Sequence, residues 1–253
     1  MVNRNRYTYM EGSVIDVEEY HDGRYGAPGT KREKKKKATP EEIAKVNHRN
    51  KVKKCRRYLL EYFNPGDLFI TWTYEPDKRP ESMEQAKKDF AKAIRQVRKE
   101  YKKRGYELYW IRNIEQGSRG AWHIHLVVKQ IKDAMGIITD AWTHGGVYAE
   151  RIMFSQKLYD LDFMKLASYI TKDEKCREKK KDGSISKPRM KDASWSHSRN
   201  MQLRKPKKDK LIRFRPEPKV PDGYYIERMV EGINPKPGYR YRSYTLIKLD
   251  LRI

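Results

Sequence analysis

Residues 107–129, ELYWIRNIEQGSRGAWHIHLVVK, contain two segments of alternating polarity around the turn-forming QGSRGA. Their reading decides the fold. In an extended strand successive side chains point to opposite faces, so His123, His125 and Val127 share one face while Trp122, Ile124, Leu126 and Val128 share the other. Tyr109, Ile111, Asn113 and Glu115 form the matching set upstream. A hairpin closed about Arg119 sets Glu115 opposite His123 on one face of an antiparallel pair, within reach across the strands. The pattern predicts one wet face, where two imidazoles and a carboxylate converge, and one dry face.

Two neutral nitrogens and one carboxylate oxygen suit a divalent ion with positions left open for water and a phosphate oxygen. Zinc fits less well, because Cys55 and Cys176 form no CxxC pair and the histidine spacing is not that of a helix-borne zinc site. Taken alone, two histidines on an exposed strand face are more often solvated residues than ligands. The rest of the chain must decide.

Composition narrows the partner. The 253 residues include 58 Lys+Arg against 34 Asp+Glu, a net charge of +24, with 37% hydrophobic residues. So large an excess of cations points to a polyanion, and phosphate backbones fit it best. No apolar run approaches the ~20 residues that span a bilayer, and MVNRNRYTYMEGS lacks a signal-peptide core. The expectation is a cytoplasmic protein with two free thiols and no membrane partner.

Residues 1–38 are polar and finish in KREKKKK, which predicts a flexible basic arm. Thr39-Pro40-Glu41-Glu42 reads as a helix start with a capping box, and Asn64-Pro65-Gly66-Asp67 as the turn that ends the helix. LFITWTY at 68–74 reads as a strand. Residues 81–104 carry Met83, Ala86, Phe90, Ile94, Val97 and Tyr101 at helical spacing, closed by Gly105. A helix at 132–143, stopped by Gly145-Gly146, leads to a strand at 147–153. Asp160 or Asp162 then caps a helix whose buried stripe is Phe163, Leu166 and Ile170, with Tyr169 and Lys172 on a neighbouring face. Beyond a basic segment, Trp195 and His197 either stack on a nucleic-acid strand or simply pack. Alternation at Thr245, Ile247 and Leu249 marks a last strand. The predicted class is α+β, a largely antiparallel central sheet with helices on one face and the other left for a ligand. Its expected divisions are the arm at 1–38, a main domain at 39–210 and a C-terminal β-hairpin extension at 211–253.

WHIHLVVK with its preceding Glu115, LFITWTY upstream and Tyr169-Ile170-Thr171-Lys172 downstream together resemble the three ordered motifs of HUH endonucleases. More narrowly they are similar to the rolling-circle replication initiators of bacterial plasmids and phages. The resemblance covers roughly residues 67–172, and it implies a palm-like sheet in which His123, His125 and Glu115 hold Mg²⁺ or Mn²⁺. Tyr169 is then the nucleophile that attacks a scissile phosphate of origin single-stranded DNA and forms a 5′-phosphotyrosyl link, with Lys172 assisting. Some relatives use another residue in place of the acid, so Asn113 and Gln116 remain candidates. No second tyrosine lies one helical turn from Tyr169, which implies a single nucleophile, and Tyr159 is not expected to reach the same phosphate. No Gly-rich loop ending in GK and Ser or Thr occurs in the sequence, so a host helicase and polymerase are expected partners. Alternatives with the same motifs are a relaxase- or transposase-like strand transferase and a non-catalytic single-strand binder. Oligomeric state is not legible.

Overall fold

A computed structural model describes residues 1–21, 27–29, 37–118, 120–153, 159–172, 190–234 and 237–249. Its strands are β1 (Val2–Tyr9), β2 (Val14–Tyr20), β3 (Leu68–Thr73), β4 (Trp110–Gly117), β5 (Trp122–Val128), β6 (Val147–Arg151), β7 (Met190–His197), β8 (Lys207–Leu211), β9 (Tyr224–Ile233) and β10 (Arg240–Lys248). The α-helices are α1 (Pro40–Tyr62), α2 (Met83–Lys103), α3 (Ala134–Ala141) and α4 (Met164–Ile170). This is the α+β class expected, with two five-stranded sheets ordered β8-β1-β2-β10-β9 and β6-β3-β5-β4-β7. Every strand pairing is antiparallel. Among the described residues no helix is long and apolar enough to cross a membrane.

The chain divides into two compact units, one of residues 1–49 and 203–253 and the other of residues 50–202. The first differs from the division read in the sequence. Residues 2–20, expected to be a flexible arm, form the β1–β2 hairpin, and the C-terminal hairpin β9–β10 pairs with it through β10 and β2. Alternation in β1 and β2 buries Val2, Tyr7, Tyr9, Val14 and Val17 within an otherwise polar sequence. A buried ion pair, Arg242 Nη2 to Glu19 Oε2 at 2.7 Å, links β10 to β2. The arm's KREKKKK run lies mostly outside the described residues, as does the basic segment 173–189.

The second unit holds the histidine hairpin. Asp67 starts β3 by accepting amide hydrogens from Asn64 (2.8 Å) and Gln130 (2.9 Å). α2 begins at Ser82, whose hydroxyl accepts from the Gln85 amide at 3.2 Å. Its stripe of Phe90, Ala93, Ile94 and Val97 packs with α3 on Ile70, Trp72, Ile124 and Leu126. Trp72 and Trp142 stack at 4.8 Å, and Trp142 Nε1 donates to the Thr73 carbonyl. An offset pair of this kind adds ~0.5–1.5 kcal/mol beyond burial. α3 ends at Ala141, before the glycines expected to stop it. Gly145 serves a different purpose: a Cβ there would sit 2.4 Å from the Thr73 carbonyl, so only glycine allows the close approach to the end of β3.

Candidate active site

Hairpin register places the chemistry. Glu115 stands opposite His123 and Asn113 opposite His125, as the closure about Arg119 predicts, although Arg119 itself lies outside the described residues. On the other side of β5, Thr73 pairs with His123 and Thr71 with His125. Period-two alternation therefore gathers Thr71, Glu115, His123 and His125 on the face turned away from α2.

That face is less wet than its pattern suggests. His125 is 6% exposed and Val127 fully buried. Part of the cover is α4: Tyr169 meets the His125 ring edge-on at 5.3 Å between centroids, and the Phe69 ring at 5.9 Å. α1 supplies more, with Tyr58 against His197 at 4.1 Å. Trp195 and His197 lie in β7 and are only partly exposed, the packing alternative of the two read for them.

The start of α4 is fixed from several directions. Phe163 precedes the helix at φ 57°, a left-handed conformation that a bulky residue adopts only when its surroundings hold it. Both candidate caps act: Asp162 Oδ1 accepts from the Met164 amide, and Asp160 from the Lys165 amide. Arg56 of α1 donates to the Asp162 carbonyl at 2.7 Å and pairs with its carboxylate at 3.2 Å. At the far end Asn113 Nδ2 donates to the Lys172 carbonyl at 3.1 Å, which ties the helix terminus to β4. Lys172 Nζ lies 5.2 Å from the centre of the Tyr169 ring.

Within the cluster, His123 and His125 lie nearly parallel with centroids 6.3 Å apart. The His125 Nε2 is 3.2 Å from Glu115 Oε1 and its Nδ1 3.0 Å from Thr71 Oγ1. A consistent neutral assignment has Thr71 donating to Nδ1 and Nε2–H donating to the carboxylate. Burial raises the Glu115 carboxyl, but the His125 hydrogen bond and the charges of His125, His123 and Lys172 outweigh it, so the net direction is down. Burial, then the neighbouring His125, lowers His123. The arrangement favours a carboxylate beside a neutral imidazole, the protonation states that a metal ligand requires. Burial, then the charges of Glu115 and Glu150, pushes the Tyr169 phenol up. It therefore needs a cationic neighbour to become a phenolate.

Tyr169, Lys172, His123, His125 and Glu115 thus come together in one unit. Among the described residues no three His, Cys, Asp or Glu side chains form a cluster at metal-holding spacing; the Glu115–His125 pair is closed by a hydrogen bond instead. The donor set still suits a hard divalent cation, since two nitrogens and a carboxylate oxygen share one face and a cation can replace the proton of that bond. Gln116 lies opposite Trp122, whose side chain is in the core on the α2 side, so it is no substitute for Glu115. Tyr159 is 1% exposed, its phenol driven up by burial and then by Glu150. Sequence reading missed Thr71 and Glu150. Alternation in LFITWTY carried a signal for Thr71, but its partner strand was needed to use it.

Residues 67–174 match the model of a protein family described as replication-associated protein, of the ORF2 type. No curated protein and no solved structure matches the chain.

Proposed function

We propose, from the premise that residues 67–174 match a rolling-circle replication initiator family, that this protein nicks and rejoins single-stranded DNA at the origin of a plasmid or phage. The observation that carries the reading is the approach of Tyr169 to His125 on the face shared with Glu115 and His123. Tyr169 Oη attacks the scissile phosphorus and gives up its proton. A tyrosine–phosphorus bond forms, the bond from phosphorus to the 3′ oxygen breaks, and that oxygen leaves as a 3′-hydroxyl after taking up a proton. The 5′-phosphotyrosyl link conserves the phosphodiester energy, so the reverse attack reseals the strand without a nucleotide cofactor.

His123, His125 and Glu115 would hold Mg²⁺ or Mn²⁺. Such an ion supplies positive charge against the phosphate oxygens and favours the phenolate. Thr71 holds the His125 ring through Nδ1, the outer contact that orients a ligand imidazole. Lys172, beside the Tyr169 ring, favours the phenolate and the charge that builds on the phosphate. Unwinding and synthesis fall to a host helicase and polymerase.

Denaturing gels of the full-length protein incubated with single-stranded oligonucleotides and Mn²⁺, followed by mass mapping of the adduct, test the reading. A covalent adduct on Tyr169 is expected, lost in Tyr169→Phe while binding persists. Cleavage retained by Tyr169→Phe, or an adduct mapped to another residue, removes Tyr169 from the role.

A further inference from the structure

On the opposite face of the same sheet, a cavity of about 1060 Å³ opens between α2, the turn after it and β7. Its lining includes Lys87, Arg95, Arg98 and Lys102 of α2, Arg112 of β4 and Arg199. The acid among the lining residues is Glu107, which already accepts hydrogen bonds from Tyr109 Oη at 2.8 Å and Asn200 Nδ2 at 2.7 Å. Charge on a helix surface is commonly just a solvated face. Arg112 sets this one apart.

Arg112 is 7% exposed. Its Nη1 donates to the carbonyl and hydroxyl of Ser194, and the guanidinium lies 5.2 Å from the Phe90 ring centre. Its Nε has no hydrogen-bond partner and no carboxylate pairs with it among the described residues. Burial without a countercharge pulls the guanidinium down to about 10. Trp110 Nε1, lining the same cavity, is likewise buried without a partner. A buried cation lacking its counterion is costly, and two donors left open in one basic cavity are what an anionic ligand would satisfy.

We propose that this cavity is a second DNA-binding surface, which grips the phosphodiester backbone of a duplex on the side of the sheet away from Tyr169. Separations of eight, three and four residues keep Lys87, Arg95, Arg98 and Lys102 on one side of α2. At 1.5 Å per residue their row is ~22 Å long, and at 3.4 Å per phosphate along the axis it matches roughly six phosphates of one strand. A rigid row of cations suits a rigid row of phosphates. Single-strand binders instead offer stacked aromatic platforms, whereas here Phe90 and Trp110 are buried and Tyr106 is the exposed aromatic ring in the lining. The role is independent of the nicking chemistry and assigns the chain a grip on duplex flanking the nicked strand.

Anisotropy titrations test it with full-length protein in a Tyr169→Phe background, against a short blunt duplex and its single strand over a range of salt. Arg95→Ala/Arg98→Ala/Lys102→Ala changes surface residues, and circular dichroism checks its fold. Each lost phosphate contact lowers the log–log salt slope by ~0.9, so the triple variant is expected to lose about 2–3 from the duplex slope and at least ~10-fold in duplex affinity. Single-strand affinity is expected to hold. Arg112→Gln, if folded, should weaken duplex binding in the same way. Unchanged duplex affinity and slope in the triple variant overturns the proposal, as does an equal loss for single strand and duplex. Because binding is read without any adduct, failure of the nicking chemistry leaves this outcome unaffected.

Discussion

Glu115 stands opposite His123 in the strand register, yet its carboxylate oxygen lies 3.2 Å from Nε2 of His125, one residue pair further along β5. The carboxylate thus serves both imidazoles, by position for one and by hydrogen bond for the other. Glu115→Ala should remove the negative charge and leave His125 Nε2 without its partner. The expected result is Mn²⁺ affinity weakened at least ~10-fold, the range seen when groups that tune a metal site are lost, and adduct formation falling with it. Glu115→Gln keeps the hydrogen-bonding shape but not the charge. Calorimetric titration with Mn²⁺ separates the two: if Glu115→Gln binds as well as the parent, the carboxylate is not a ligand.

Much of this site was legible because it rests on short-range rules. Period-two alternation and a turn centred near Arg119 fix the hairpin register, and the caps Asp160 and Asp162 fix where α4 begins. The first unit was not legible, for an equally physical reason. β1 and β2 contain Arg4, Arg6, Glu18 and Glu19, and local composition reads such segments as solvated. What orders them comes from residues about two hundred positions away, such as Asp209 beside Arg4 and Arg242 beside Glu19. Nothing local announces such partners. The same limit hid the cover over the histidine face, since α1 and α4 are each readable as helices but their docking on β5 and β7 is not.

The buried Arg56–Asp162 pair joins α1 to the turn that starts α4, with side-chain exposures of 4% and 0%. Removing one partner leaves the other charge buried alone, which costs ~3–5 kcal/mol. Arg56→Met should lower the unfolding free energy by about that amount in urea titrations. Asp162 also accepts the Met164 amide, so Arg56→Met should loosen the helix that carries Tyr169 and slow adduct formation even under conditions where the protein stays folded. A loss below ~1 kcal/mol, the level of an exposed pair, would show that the contact is solvated in solution.

Cys55 offers a check on the packing of α1 that is independent of any nucleic acid. The thiol is fully buried, and burial drives it far above its ordinary value of 9.0. The sign follows from linkage. A group whose folded pKa is raised contributes its full stability below the unfolded value and loses it as pH climbs past that value, because the unfolded chain releases a proton that the folded chain keeps. In a Cys176→Ser background, stability should fall between about pH 8.5 and 10, by up to ~1.4 kcal/mol per pH unit from this group, and Cys55→Ala should flatten that slope. At pH 8 a thiol-reactive dye should label the native protein far more slowly than the urea-unfolded chain. Rapid labelling of the native state, at the rate of a free thiol, would mean that the second half of α1 opens readily and does not cover the sheet as the structure has it.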